Sequence, residues 1–206
     1  MTKLNAGSEV DIVPKDSRYI PFTQQHSCCA PTCIQMVMYK NKIPLLPAEE
    51  IGYYMGLTLP PDAGHLFYNV RTSDSPPTSA GYGTQIGTKG FTLDEAFSNL
   101  KIPLRSDLEL VDSIVDEGYL LKRLKEIESN NEDALICLNS SVLIGEYRPN
   151  SGHLVVFDRI ANDKVRIIDP NPNQPKWRQI DIAVLFKSIK IHGNERSGGI
   201  WNIKLI

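Results

Sequence analysis

The segment Cys28-Cys29-Ala30-Pro31-Thr32-Cys33, continued by Ile34-Gln35-Met36-Val37-Met38-Tyr39, constrains this chain more than any other. From Cys29 to about Tyr39 the side chains are apolar on most faces, the pattern of a helix buried on nearly all sides rather than one lying on a surface. Pro31 has no amide hydrogen, so it fits that helix only in the first turn, where no intrahelical bond is lost. The proline therefore puts Cys29 near the helix amino terminus. There a thiol meets unpaired N–H groups and the positive end of the helix, both of which favour thiolate.

The remaining sequence must enclose this helix. At 206 residues and 41% hydrophobic content the chain can build a proper core, as one large domain or two small packed lobes. Residues 1–21 read as an extended lead-in. A short helix is expected over Pro47–Met55, another over 93–100 opened by a capping box from Thr92 to Glu95, and a longer one over about Tyr119–Ser129. The stretch 58–90, rich in Gly, Pro, Ser and Thr, reads as a long loop bordering a cleft, with Tyr82 as a candidate contact. Beyond it the period changes: strands are expected over 134–144, 152–160, 164–169, 176–180 and 199–206, with a helix over 181–187. Helices early and strands late predict an α+β fold. We expect one domain over 1–206, a helical lobe of about 22–130 packed on an antiparallel sheet lobe of about 131–206.

Composition narrows the partners. The net charge is −2 and the basic residues are scattered, apart from Lys122, Arg123 and Lys125 on one helix face, so no nucleic-acid partner is expected. The amino terminus is polar where a signal peptide would be apolar, and no stretch is long enough to span a bilayer, which predicts a cytoplasmic protein without membrane insertion. Four cysteines with Cys28 and Cys29 adjacent do not look like a disulfide frame. His26, Cys28, Cys29 and Cys33 cluster in sequence, but there is no second cysteine pair to complete a zinc site, and neither metal nor other cofactor is expected.

Two downstream motifs answer the thiol. Gly152-His153-Leu154-Val155-Val156 opens a strand with an imidazole, and Ile168-Asp169-Pro170 ends the next with a carboxylate. His153 would act as general base to the sulfur and then as general acid to the leaving group, with Asp169 holding its tautomer and orientation. His26, His65 and His192 lack such a mounting. Cys28 competes with Cys29, but successive residues at a helix start point in different directions. Cys33 and Cys137 read as core.

Register tests the pair. A two-residue turn at Asn162-Asp163 in a regular hairpin sets Asp169 opposite Val156, which puts His153 and Asp169 on opposite faces. The triad therefore requires an odd loop, such as three residues, or a bulge. Upstream, a side-chain amide from Gln24 or Gln25, with Gln24 preferred, would join the Cys29 N–H in an oxyanion hole.

These elements resemble the papain-like cysteine peptidase superfamily, and within it the C39-like peptidases, relatives of the bacteriocin leader peptidases. Gln24 or Gln25 followed by Cys29-Ala30-Pro31-Thr32 is similar to the family's glutamine and Cys-Gly-Pro-Ala helix start, and the two downstream motifs to its histidine strand and Asp-Pro strand end. The likeness covers about 19–40 and 150–180. Ala30 stands where glycine is usual, and the spacing from Gln24 to Cys29 is one residue short. The resemblance implies a papain-like two-lobe fold with Cys29 as nucleophile, His153 as base, Asp169 as orienter and Gln24 as oxyanion donor. It implies cleavage of a peptide or isopeptide amide bond in a peptide or protein substrate, through an acyl-enzyme and without a cofactor. The same triad serves acyltransferases and transpeptidases, and the same fold can serve as an inactive peptide-binding module.

Overall fold

A computed structural model describes residues 14–79, 81–88, 90–149 and 151–206. In chain order these form α1 (Cys29–Lys40), α2 (Ala48–Tyr54), β1 (Thr58–Leu59), β2 (Arg71–Thr72), α3 (Leu93–Leu100), β3 (Leu104–Leu110), α4 (Glu117–Ser129), β4 (Asp133–Asn139), β5 (Gly152–Ala161), β6 (Lys164–Ile168), β7 (Trp177–Ile180), α5 (Ile182–His192) and β8 (Gly199–Leu205). The fold is mixed α and β around a six-stranded antiparallel sheet of order β3-β8-β4-β5-β6-β7.

Helices cover both faces of the sheet. On one, α1 lies against β5 within a cluster that includes Leu135, Leu154, Val156, Ile168 and Trp201. On the other, α4 and α5 cover Ile136, Leu138, Val155, Phe157 and Ile167. Ile34, Met36, Val37 and Met38 of α1 are wholly buried, each contributing about 1.5–3 kcal/mol. A helix so held gives Cys29 a rigid mount.

The boundaries shift for local reasons. Helix α4 starts ahead of Tyr119 because the Asp116 carboxylate accepts the Tyr119 N–H at 2.7 Å and caps it. The strand expected over 134–144 stops at Asn139, and Val142–Ile144 form a 3-10 turn. Helix α5 runs on to His192 and ends at Gly193, whose φ of 81° suits glycine. Strand β3 is absent from the sequence expectations: it lies at the sheet edge, where Arg105, Asp107 and Glu109 interrupt its leucines. Between 58 and 90 the chain is partly ordered by the parallel β1–β2 pair, with Arg71 stacked on Tyr53 at 4.1 Å and Phe91 at 5.2 Å. Of the expected lead-in over 1–21, residues 1–13 lie outside the described residues, and 14–20 contain turns and bends.

The β5–β6 hairpin positions the site. Its turn is the two-residue Asn162-Asp163, both in the left-handed region at φ 52° and 60°, and Ala161 pairs with Lys164. The ladder then slips at Asp158: Arg159 pairs with Arg166, Phe157 with Ile167 and Val156 with Ile168. The hairpin thus contains a bulge rather than a longer loop. The core explains it, because Phe157 and Ile160 both pack on the α4–α5 side, which strict alternation forbids for residues three apart.

Candidate active site

Cys29 is the first residue of α1 and half-buried, while its neighbour Cys28 is wholly buried with Leu57, Leu59 and Ala63. Burial pushes the Cys28 thiol up to about 12, which makes it inert at neutral pH. Burial also raises Cys29, but a hydrogen bond from His153, its positive charge, and the N–H groups of Leu154 and Ala30 outweigh it and bring the thiol below its ordinary value. Cys33, one helical turn on, is buried and donates to the Leu154 carbonyl at 3.4 Å. Cys137 is buried, as a core residue should be, but it also lines the cleft.

The bulge brings His153 and Asp169 to the same face, and His153 Nε2 meets Asp169 Oδ1 at 2.7 Å. With Nε2 so engaged, Nδ1 is the nitrogen left for the Cys29 sulfur. Burial alone would lower His153, but Asp169 and Cys29 together push it up to about 10. Asp169 is itself almost wholly buried; burial raises it, and His153, the Asn171 N–H and Arg178 bring it below the usual carboxylate range. The Asn171 N–H reaches Oδ1 at 2.9 Å, and Arg178 stands 3.6 Å from Oδ2. The raised imidazole and lowered thiol favour a thiolate–imidazolium pair at neutral pH.

A cleft of about 440 Å³ opens over the thiol and imidazole. Gln24 and Gln25 both line it, but they are held differently. The Gln24 backbone N–H donates to Pro170 O at 2.9 Å, tying it to the loop just after Asp169, whereas Gln25 is exposed and its carbonyl accepts the Cys28 N–H. Gln24 is thus half-buried and tied to the Asp169 end of the cleft, while Gln25 is exposed. The rim also includes Tyr82, Gly83 and Gln85. The Gln85 amide is bound on both ends, to Thr78 and to the Gly81 and Gly83 carbonyls, so that rim is preorganised.

The structure places the other histidines differently from one another. His26 lines the cleft and His65 does not. His192, set aside on sequence, is buried at the end of α5 and lines the cleft beside His153. Burial drives it down to about 4, so it is neutral at pH 7. A side chain at Gly152 would stand 2.8 Å from its ring, so this glycine is what lets the second imidazole sit there. Arg178 carried no local signal, since its partner lies on the neighbouring strand end. Among the described residues no group of three or more His, Cys, Asp and Glu side chains is placed to hold a metal ion. Among them, too, no helix is long and apolar enough to cross a membrane. Comparison with protein-family models and with curated proteins finds no match to this chain.

Proposed function

We propose that this protein is a papain-like thiol hydrolase, related to the C39-like peptidases, that cleaves a peptide or isopeptide amide bond through Cys29, His153 and Asp169. The observation that carries the reading is geometric: Cys29 at the start of α1 and the His153 of a hydrogen-bonded His153–Asp169 pair on the β5–β6 hairpin line one open cleft, and His153 brings the thiol below its ordinary value. The Cys29 thiolate attacks the scissile carbonyl carbon, and the carbonyl electron pair becomes an oxyanion held by the Cys29 N–H and the Gln24 amide. The tetrahedral intermediate collapses as imidazolium His153 gives its proton to the leaving amine, which departs and leaves a thioester on Cys29. Neutral His153 then takes a proton from water, whose oxygen attacks the thioester; carboxylate and thiolate are released. Asp169 stays ionised and orients the ring.

Transfer to an amine in place of water would make the same machinery an acyltransferase, and product analysis separates the two. The test is intact-mass detection of a covalent adduct with an epoxide-bearing peptide, comparing the native chain with Cys29→Ala and Cys28→Ala. The expected result is an adduct on the native chain and Cys28→Ala, and none on Cys29→Ala. A folded native chain that never forms the adduct would favour a peptide-binding module.

A further inference from the structure

The bulge that aligns His153 with Asp169 has its own clasp. Asp158, the extra residue, is wholly buried. Its Oδ2 accepts Arg166 Nε at 2.6 Å, and its Oδ1 accepts the Arg18 backbone N–H at 2.7 Å and the Ser17 hydroxyl at 3.3 Å. Its carbonyl accepts Arg18 Nη1 at 3.3 Å. Asp16 bridges Arg159 and Arg166, the cross-strand pair next to the slip on its turn side, at 3.0 Å each. Trp177 on β7 reaches the Ser17 hydroxyl at 3.0 Å. The amino-terminal strap is thus bound at the one place in the hairpin where the register changes.

We propose that Asp158 is a positioning residue for the triad: clasped by Arg166 and residues 16–18, it holds the bulge that keeps Asp169 on the face of His153. This rests on the hydrolase reading above. Without the bulge, the turn at Asn162-Asp163 would propagate a regular ladder, pair Phe157 with Ile168 and send Asp169 to the face opposite His153. The amino-terminal strap then belongs to the catalytic apparatus although it makes no contact with Cys29. A bulge that re-aims a side chain beside a site is a known use of the device.

Two variants with the same side chains removed isolate register from charge. Asp158→Ala with Arg166→Leu discards the buried pair without leaving an uncompensated charge, and it keeps the extra residue while removing its clasp. Deletion of Asp158 with Arg166→Leu discards the same groups but also the extra residue, so a bulge-free ladder pairs Val156 with Ile168 and keeps the native alignment of His153 and Asp169. The readout is the pH dependence of Cys29 alkylation by iodoacetamide, with circular dichroism to show that each variant is folded.

The native chain is expected to alkylate from a depressed thiol pKa. The chain carrying Asp158→Ala with Arg166→Leu should lose about 10²-fold in rate at neutral pH, with its profile moving toward an ordinary thiol, and the deletion chain should regain the native profile. Both variants keeping the native profile, or both losing it alike, would overturn the role of Asp158. A native chain that itself titrates as an ordinary thiol would instead overturn the hydrolase reading.

Discussion

The two ends of the β5–β6 hairpin each bury an aspartate beside a cation, and the two pairs do opposite things. At the slip, Asp158 is saturated by an arginine, a backbone N–H and a hydroxyl. At the open end, Asp169 binds an imidazole whose charge depends on a thiol 124 positions earlier in the chain, and whose other nitrogen faces the cleft. A carboxylate held by permanent charge fixes geometry; one held by a titratable partner takes part in chemistry. Breaking either end tells what the other contributes.

The largest contrast is between activity and stability. Asp169→Ala removes the ring's orienter and the main support of its charge, so the acylation rate should fall about 10²–10⁴-fold. Asp158→Ala alone leaves buried Arg166 with only the exposed Asp16 as a carboxylate partner and should cost about 3 kcal/mol in denaturant unfolding. Equal stability losses in the two variants, with equal rate losses, would erase the distinction between the two ends.

The pH dependence sharpens it. The folded His153 is raised to about 10 from an ordinary value of 6.5. Its contribution to stability is therefore fully present below about 6.5 and is lost as pH rises through about 10. Cys29 is lowered, so its thiolate persists below the ordinary thiol range. The rate of peptide acylation, unlike that of alkylation, should rise along an acid limb set by Cys29 and fall on an alkaline limb near 10 as His153 loses the proton it gives to the leaving amine. In Asp169→Ala the alkaline limb should move to lower pH, because the partner that raises the imidazole most is gone. An alkaline limb that stays in place in that variant would assign it to another group.

Gln24 comes next in size. If its amide stabilises the oxyanion beside the Cys29 N–H, Gln24→Ala should lower kcat about 10²–10³-fold with little change in KM, and Gln25→Ala should leave both near native. The reverse ranking would move the oxyanion donor to Gln25. Steady-state kinetics on any peptide the native chain cleaves decides it.

How much of this was legible in the chain follows the same division between local and distant causes. The mount of Cys29 was readable because Pro31 and an unbroken apolar run act within one helix. The need for an irregular hairpin was readable from parity alone, and the apolar set Val155, Phe157 and Ile160, which changes parity across Asp158, carried the location in plain sight. What was not readable is how the second carboxylate oxygen of a buried Asp is satisfied there: beside Arg166, it needs the backbone N–H of Arg18, 140 positions away. Strand β3 was missed because an edge strand needs only one half-apolar face, and His192 because its burial depends on a glycine 40 positions earlier. Sequence patterns report what a residue's own element needs, and these residues answer to another element.

The smallest effect is a control on the whole comparison. Thr92 caps α3 by accepting the Glu95 N–H at 3.2 Å while its hydroxyl donates to the Glu95 carboxylate at 2.9 Å, on the solvent side of the molecule. Thr92→Ala should cost about 1 kcal/mol, or about 2–4 °C in Tm for a chain of this size. Nothing in that cap touches the hairpin, so the pH profile of Cys29 alkylation should be unchanged. If a loss of that size at α3 moved the thiolate profile as far as unclasping Asp158 does, the site would be responding to overall stability, and the register of one hairpin would no longer explain its chemistry.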